Sequence, residues 1–201
     1  VRNVNDGISM VQIMEGTYDE VTSILQRMRD MAVQAANGSL TATEQGYLET
    51  EQTALQTALG EAINQATFGK VDLVSSAANS TVVIQTGANT GDTVNIVVST
   101  TTVSNASELG ITAIDLSSDA SAAIGLVDTA LTRVATQRAQ LGAYQAQLES
   151  TVRNISNVAE NTAAAAGRIM DTDYAAETAN LTKAQILQQA ATSVLAQANA
   201  Q

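Results

Sequence analysis

Side chains that could do covalent or metal chemistry are scarce in this sequence. It has 201 residues, with no cysteine and no histidine. Thiol nucleophiles, disulfides, serine–histidine relays and metal sites built from thiolate or imidazole are therefore excluded. We accordingly predict that the chain needs no cofactor, holds no metal and is not an enzyme.

Two acidic side chains come closest to forming a reactive cluster. Asp171 and Asp173 flank Thr172 and could hold a cation or act as an acid pair. Asp and Thr are also preferred where a helix begins, because their side-chain oxygens accept hydrogen bonds from unpaired backbone amides. We interpret this segment as a helix break followed by a cap.

Two further segments could bind or carry a ligand. The segment Gly87–Gly91 has the glycines of a phosphate-binding loop but lacks the spacing and the lysine of that motif, so we interpret it as a hairpin turn. The Ser- and Thr-rich run Ser99–Ser107 could accept O-linked sugar. A bare polar loop is the interpretation that we favour.

Composition narrows the classes of partner. The chain has 9 Lys and Arg against 20 Asp and Glu, a net charge of −11, so it lacks the basic surface that nucleic acid requires. No apolar run approaches the roughly 20 residues that span a bilayer. Aromatic residues make up only 2% of the chain, which predicts a thin core of Ala, Val, Ile and Leu.

The first 70 residues have the pattern of two helices. Apolar residues recur every three or four positions, which is one continuous helical stripe. The stripe comprises Val4, Ile8, Val11, Met14, Tyr18, Val21, Leu25, Met28 and Ala32. Ile13, Ile24 and Met31 lie off it and indicate a second contacted face. Asn37–Gly38 is a helix stop, and either Thr41 or Thr43 could cap a second, antiparallel helix that reaches about Thr67. Thr41 with Glu44 has the capping-box pattern.

The centre of the chain has the pattern of β structure. Val82–Thr86 and Thr93–Val98 are two alternating runs around a glycine-containing loop, which predicts a β-hairpin. The segment Ile111–Leu116 is a possible third strand.

A seven-residue repeat dominates the last third. Its positions are Ile124, Val127, Leu131, Val134, Arg138, Leu141, Gln145, Leu148, Val152, Ile155, Ala159, Thr162, Ala166 and Ile169. Such a repeat implies left-handed coiling against other helices, and about 50 residues at ~1.5 Å each give a helix of ~75 Å. A final helix follows from about Ala175 to Ala200.

We therefore predict a mainly α protein, an elongated rod-like helical bundle with heptad packing and a small β-hairpin element. The predicted organisation is an N-terminal half of the rod at 1–70, a hairpin region at 71–118, a long rod helix at 119–172 and a truncated last helix at 173–201. The chain starts at Val1 within a plausible helix, so we expect it to be a fragment.

Several stretches resemble bacterial flagellin, the subunit of the flagellar filament. Asn5–Ser9 is similar to the family's opening outer-rod motif, and Ile84–Asn89 is similar to its hairpin. The most specific stretch is RIMDTDYA at 168–175, which continues through LTKAQILQQA at 181–190. The resemblance implies a chain that contains the outer rod and part of the C-terminal inner-tube helix, without the N-terminal inner-tube helix.

The resemblance also implies partners, location and contact residues. The family leaves the cell through a type III channel, so we expect a secreted chain that assembles with other flagellin subunits into an extracellular filament for motility. Gln26, Arg27, Met31 and Glu51 match positions that contact either neighbouring subunits or the vertebrate innate-immune flagellin receptor. Residues of the last helix match positions that pack in the inner tube or bind a type III export chaperone. They are Leu181, Ile186, Leu187, Val194 and Leu195. A flagellin-like surface adhesin or glycan-binding protein is the alternative function.

Overall fold

The computed structural model describes residues 1–74, 81–97, 105–170 and 173–199. Its internal contacts divide the chain into two units, Val1–Ser156 and Asn157–Gln201. The first unit contains all the buried hydrophobic residues of the described chain. The described residues form long helices and two small antiparallel two-stranded sheets, so the predicted mainly α fold class with a small β-hairpin is confirmed.

Two antiparallel helices open the first unit, α1 at Arg2–Ala35 and α2 at Ala42–Asn64. Ala36 ends α1 just before Asn37–Gly38, as predicted. The predicted capping box is also present, since the Thr41 hydroxyl accepts from the Glu44 amide and the Glu44 carboxylate accepts from the Thr41 amide at 2.8 Å. The Thr41 amide and the Thr41 hydroxyl both donate to the Glu44 carboxylate, which holds the pKa of Glu44 below its ordinary value.

The core-facing side of α1 follows a heptad pattern. The buried positions form two series with steps of seven residues, as in a coiled coil. One series is Val4, Val11, Tyr18, Leu25 and Ala32, and the other is Gly7, Met14, Val21, Met28 and Ala35. Ile24 and Met31 are also buried, which confirms the second face for those two residues, whereas Ile13 is exposed.

Two small antiparallel ribbons follow. Strands β1 (Thr67–Phe68) and β2 (Val71–Asp72) pair around Gly69, whose φ of 64° explains the glycine. Strands β3 (Thr81–Gln85) and β4 (Thr93–Val97) form the predicted hairpin, in which Ile84 pairs with Val94. Ile84 and Ile96 are buried and dock the hairpin on the helices.

The predicted third strand at Ile111–Leu116 is wrong. The short helix α3 (Ala106–Leu109) ends at Gly110 with a φ of 79°, and a 3₁₀ turn follows at Ile111–Ala113. Backbone groups here bond to side chains rather than to a strand. Gln56 Nε2 donates to the Ile111 carbonyl at 2.8 Å, and Glu49 Oε2 accepts from the Leu116 amide at 2.7 Å. Because Ser118 and Ser117 donate to its carboxylate, the pKa of Asp115 lies well below its ordinary value.

Helix α4 runs over 51 residues, Ala120–Met170. Four of the fourteen predicted stripe positions are buried, namely Val127, Val134, Leu141 and Leu148. Between Ala123 and Gln137, the other buried positions lie one residue earlier than the stripe predicts. Ala123, Ala130 and Gln137 are buried, whereas Ile124, Leu131, Arg138 and Gln145 are only half-buried. The buried face of α4 therefore includes Ala123 and Ala130 in place of Ile124 and Leu131.

The second unit contains the end of α4 and helix α5 (Tyr174–Ala198). The Asp173 carboxylate accepts from the Ala175 and Ala176 amides at 3.1 and 3.2 Å, which confirms the predicted cap. Asp171 and Thr172 lie outside the described residues, as does 98–104, most of the predicted polar loop. No residue of α5 is buried, and Ile169, the predicted end of the heptad stripe, is 84% exposed.

Candidate functional site

The contact residues predicted on α1 and α2 meet at the outer edge of the seam between the two helices. Arg27 donates from both Nε and Nη2 to Glu51 Oε1, and the Nε distance is 3.1 Å. The Arg27 side chain remains 66% exposed and that of Glu51 42% exposed. Residues 24 positions apart thereby become one charged surface feature.

The other two predicted residues differ in their access to solvent. Gln26 is exposed beside Arg27, whereas Met31 is only 5% exposed and lies in the core. The surface that a partner can touch is therefore formed by Gln26, Arg27 and Glu51, which we call the α1–α2 patch. Met31 lies one turn beyond Arg27 and packs beneath this surface.

Two further ion pairs join α1 to α4 and were not predicted from the sequence. Arg29 Nε lies 2.6 Å from Asp128 Oδ1, and Arg138 Nη2 lies 2.7 Å from Asp19 Oδ1. The Asp128 carboxylate raises the pKa of Arg29 through this hydrogen bond. The pair nearer the start of α1 lies nearer the end of α4, so the two helices are antiparallel. Nothing in the local sequence identifies these partners, because they are about a hundred residues apart.

The predicted inner-tube or chaperone residues all lie on α5 and are all solvent-exposed. Leu181 is 57% exposed, Ile186 and Leu187 are 60%, Val194 is 68% and Leu195 is 62%. We call these five residues the α5 apolar set. Several exposed apolar side chains on one helix are typical of an interaction surface.

The acidic side chains of the described residues form no metal site. Across 1–74, 81–97, 105–170 and 173–199, no group of three or more acidic residues is placed to hold a metal ion. No helix within the same ranges is long and apolar enough to cross a bilayer. The two surfaces above are therefore candidate protein-contact sites.

Comparison with known proteins matches both ends of the chain. Residues 1–79 match the bacterial flagellin N-terminal helical region, and residues 124–201 match the bacterial flagellin C-terminal helical region. The chain is similar to a flagellin of Halalkalibacterium halodurans, at 38% identity over all of this chain and 74% of the relative. It is also 37% identical to a flagellar filament core protein of Brachyspira hyodysenteriae, over 98% of this chain and 74% of that protein.

A solved structure agrees with these sequence matches. The crystal structure of Bacillus cereus flagellin superposes with a TM-score of 0.66 at 27% identity, covering 82% of this chain and 94% of that one. Neither the relatives nor this structure favours the adhesin alternative, and a structural protein family argues against an enzyme. The chain belongs to the bacterial flagellin family and is a structural subunit of the extracellular flagellar filament, where it assembles with other flagellin subunits.

Proposed function

We propose that the α1–α2 patch is a contact surface of the filament subunit, and that the vertebrate innate-immune flagellin receptor binds the same patch. The observation that supports this is the exposed Arg27–Glu51 pair. Glu51 holds the guanidinium in one orientation while more than half of the Arg27 side chain still faces solvent. A partner then meets a group that is already ordered, which lowers the entropic cost of binding.

Substitution of Arg27 tests this proposal. Arg27→Ala should weaken receptor binding about 30-fold, or about 2 kcal/mol, which is typical for truncating an arginine anchor. Stability should change by no more than about 1 kcal/mol, because exposed ion pairs contribute little. Titration with the receptor ectodomain and thermal melts of the same samples measure the two effects.

Arg29→Ala is the matched control. Arg29 lies on the same helix and also forms an exposed ion pair, but its partner Asp128 belongs to α4. Its loss should leave receptor affinity unchanged. Equal losses of affinity in the two variants would point to a general charge effect and remove Arg27 from the receptor site. A large drop in the melting temperature of Arg27→Ala would make it a packing residue.

We further propose that the α5 apolar set packs against neighbouring subunits in the filament, and that a type III export chaperone covers it before secretion. All five side chains are more than half exposed, and in the described residues nothing from their own chain buries them. Burying such side chains contributes about 1.5–3 kcal/mol each, so two or three of them can drive association.

Serine substitutions separate assembly from folding. Leu181→Ser with Leu195→Ser, introduced into the gene that encodes this chain, should abolish filaments seen by electron microscopy. The melt of the first unit should not change, because neither residue contributes to its core. Val83→Ser is the control, since Val83 on the hairpin is also 57% exposed. Normal filaments from the double variant would contradict the assembly role. Unchanged co-purification with the cognate export chaperone would contradict the chaperone role.

A further inference from the structure

The turn between α1 and α2 contains a dipeptide whose chemistry the filament function does not use. The sequence has two dipeptides in which Asx precedes Gly, Asp6–Gly7 and Asn37–Gly38. Glycine lacks a Cβ, so its backbone nitrogen can approach the preceding side chain more closely than that of any other residue. In such a pair that nitrogen can attack the side-chain carbonyl carbon.

We propose that Asn37 is a site of spontaneous deamidation, at which the backbone nitrogen of Gly38 displaces the side-chain amide. The Gly38 nitrogen forms a bond to Asn37 Cγ and loses its proton, and the bond from Cγ to Nδ2 breaks to release ammonia. The resulting five-membered succinimide then reacts with water and opens at either carbonyl. The products are aspartate and isoaspartate, and each adds one negative charge to the chain.

The geometry of the turn favours this reaction. Asn37 and Gly38 are both exposed, so solvent can remove the proton and supply the water. Asn37 Oδ1 accepts a hydrogen bond from the Ser39 amide at 3.3 Å, which folds the side chain along the Gly38 backbone. The negative charge of the tetrahedral intermediate develops on this same oxygen, and a donor already directed at it stabilises that charge.

The nucleophile is also available. Among the described residues, no acceptor binds the Gly38 amide, and the turn is closed instead by the Leu40 amide donating to the Asn37 carbonyl at 3.2 Å. The attacking nitrogen therefore does not have to break a hydrogen bond within the protein before it approaches Cγ.

The other dipeptide shows the opposite arrangement and is an internal control. Gly7 lies inside α1, where helical geometry commits its amide to a carbonyl four residues earlier. It is buried, and a Cβ at Gly7 would lie 3.1 Å from Ile84 Cγ1. A succinimide at Asp6 would break the helix and displace this contact, so folding protects Asp6.

Deamidation of Asn37 should affect both α1 and α2. A new carboxylate at residue 37 lies just beyond the C-terminus of α1, where the helix dipole disfavours negative charge. Isoaspartate also adds one backbone carbon to a short connection whose other end is the Thr41 cap. Both changes act on the joint that sets α1 against α2, next to the bond from Gln45 Nε2 to the Ala35 carbonyl at 3.3 Å.

Timed incubation with peptide mass mapping tests the proposal. The purified folded chain, held at mildly alkaline pH and sampled over days, should gain one mass unit on the peptide that contains Asn37. This should occur at least about tenfold faster than at the helical residues Asn154 and Asn161, whose backbone cannot reach the cyclic geometry. An isoaspartate-specific methyltransferase should methylate residue 37 and not residue 6.

Gly38→Ala is the matched variant. A Cβ at Gly38 has no atom within 4 Å and its φ is not left-handed, so the fold should tolerate alanine. The Cβ restricts the approach of the nitrogen, so conversion of Asn37 should slow by about tenfold or more, while circular dichroism stays unchanged. The proposal is overturned if Asn37 reacts no faster than the helical asparagines, or if Gly38→Ala leaves its rate unaltered.

Discussion

At the scale of single residues, the least expected feature is a phenol in the coiled-coil core. Tyr18 is fully buried in the heptad series of α1, and its hydroxyl has no hydrogen-bond partner among the described residues. The ring supplies bulk to a core with few aromatic residues, whereas the unpaired hydroxyl costs free energy. Burial raises the pKa of Tyr18 above its ordinary value.

Tyr18→Phe should therefore stabilise the chain by about 1 kcal/mol, because it removes a buried polar group that lacks a partner. The pKa of Tyr18 is higher in the folded chain than in the unfolded chain, where it is near 10. The stability contributed by keeping the phenol neutral is therefore complete below about pH 10 and is lost as the pH rises above that value. The wild type should lose melting temperature in that alkaline range, and Tyr18→Phe should lose less. Tyr47→Phe, at a residue 71% exposed, should match the wild type. A lower melting temperature for Tyr18→Phe at neutral pH would mean that the hydroxyl has a partner.

At the scale of elements, α1 contains two glycines with different reasons to be there. Gly16 is exposed, and a Cβ there would have no atom within 4 Å. Gly7 lies where the hairpin and α4 both approach α1. A Cβ at Gly7 would lie 3.1 Å from Ile84 Cγ1 and 3.5 Å from Leu148 Cδ1. The hairpin thus docks where α1 has no side chain.

This contrast predicts different outcomes for two alanine substitutions. Gly16→Ala should raise the free energy of unfolding by about 0.5–1 kcal/mol, because alanine is the better helix former. Gly7→Ala should be at least about 1 kcal/mol less stable than Gly16→Ala, since overpacking cancels the same gain. Urea unfolding of both variants measures the difference. Equal stabilisation would mean that the hairpin does not pack on Gly7.

At the scale of the whole molecule, the two units differ in how much buried packing stabilises their helices. The first has a continuous core, whereas the described part of the second contains no buried residue. Helix α5 has 25 residues and none of them is buried, so it lacks the tertiary packing from which most helical stability in proteins comes.

Hydrogen exchange should reveal this difference. In the unassembled chain, the α5 amides should exchange through local opening, whereas α1 amides around Val21 should exchange only through global unfolding. Assembly into filaments should slow exchange in α5 far more than in α1, because the α5 apolar set then becomes buried. Strong protection of α5 before assembly would contradict this account and the proposed filament contact.

Local pattern was sufficient to predict the long helices, one capping box and one hairpin. The stripe of α1, the capping box of Thr41 and Glu44, and the β3–β4 hairpin each depend on residues close together in sequence. The packing of such segments depends on which side chains they meet, and this information is distributed along the chain. The short ribbon of β1 and β2 was missed, because two-residue strands have no periodicity to detect.

The sequence by itself determined the long helices, the capping box of Thr41 and Glu44, the β3–β4 hairpin and the family, because these are set by local spacing and by motifs. Only the tertiary structure decided which face of α4 is buried. Periodicity favoured Ile124 and Leu131 as buried residues. Because α1 and α4 are antiparallel, a step forward along α1 from the Gly7–Leu148 contact corresponds to an equal step backward along α4. This register places Leu25 level with Ala130 and Tyr18 level with Gln137. Because interiors are filled to a nearly uniform density, a large residue on α1 leaves less volume for the residue level with it on α4. The exposed Arg27–Glu51 pair also depends on tertiary structure, since it forms only where α1 and α2 meet.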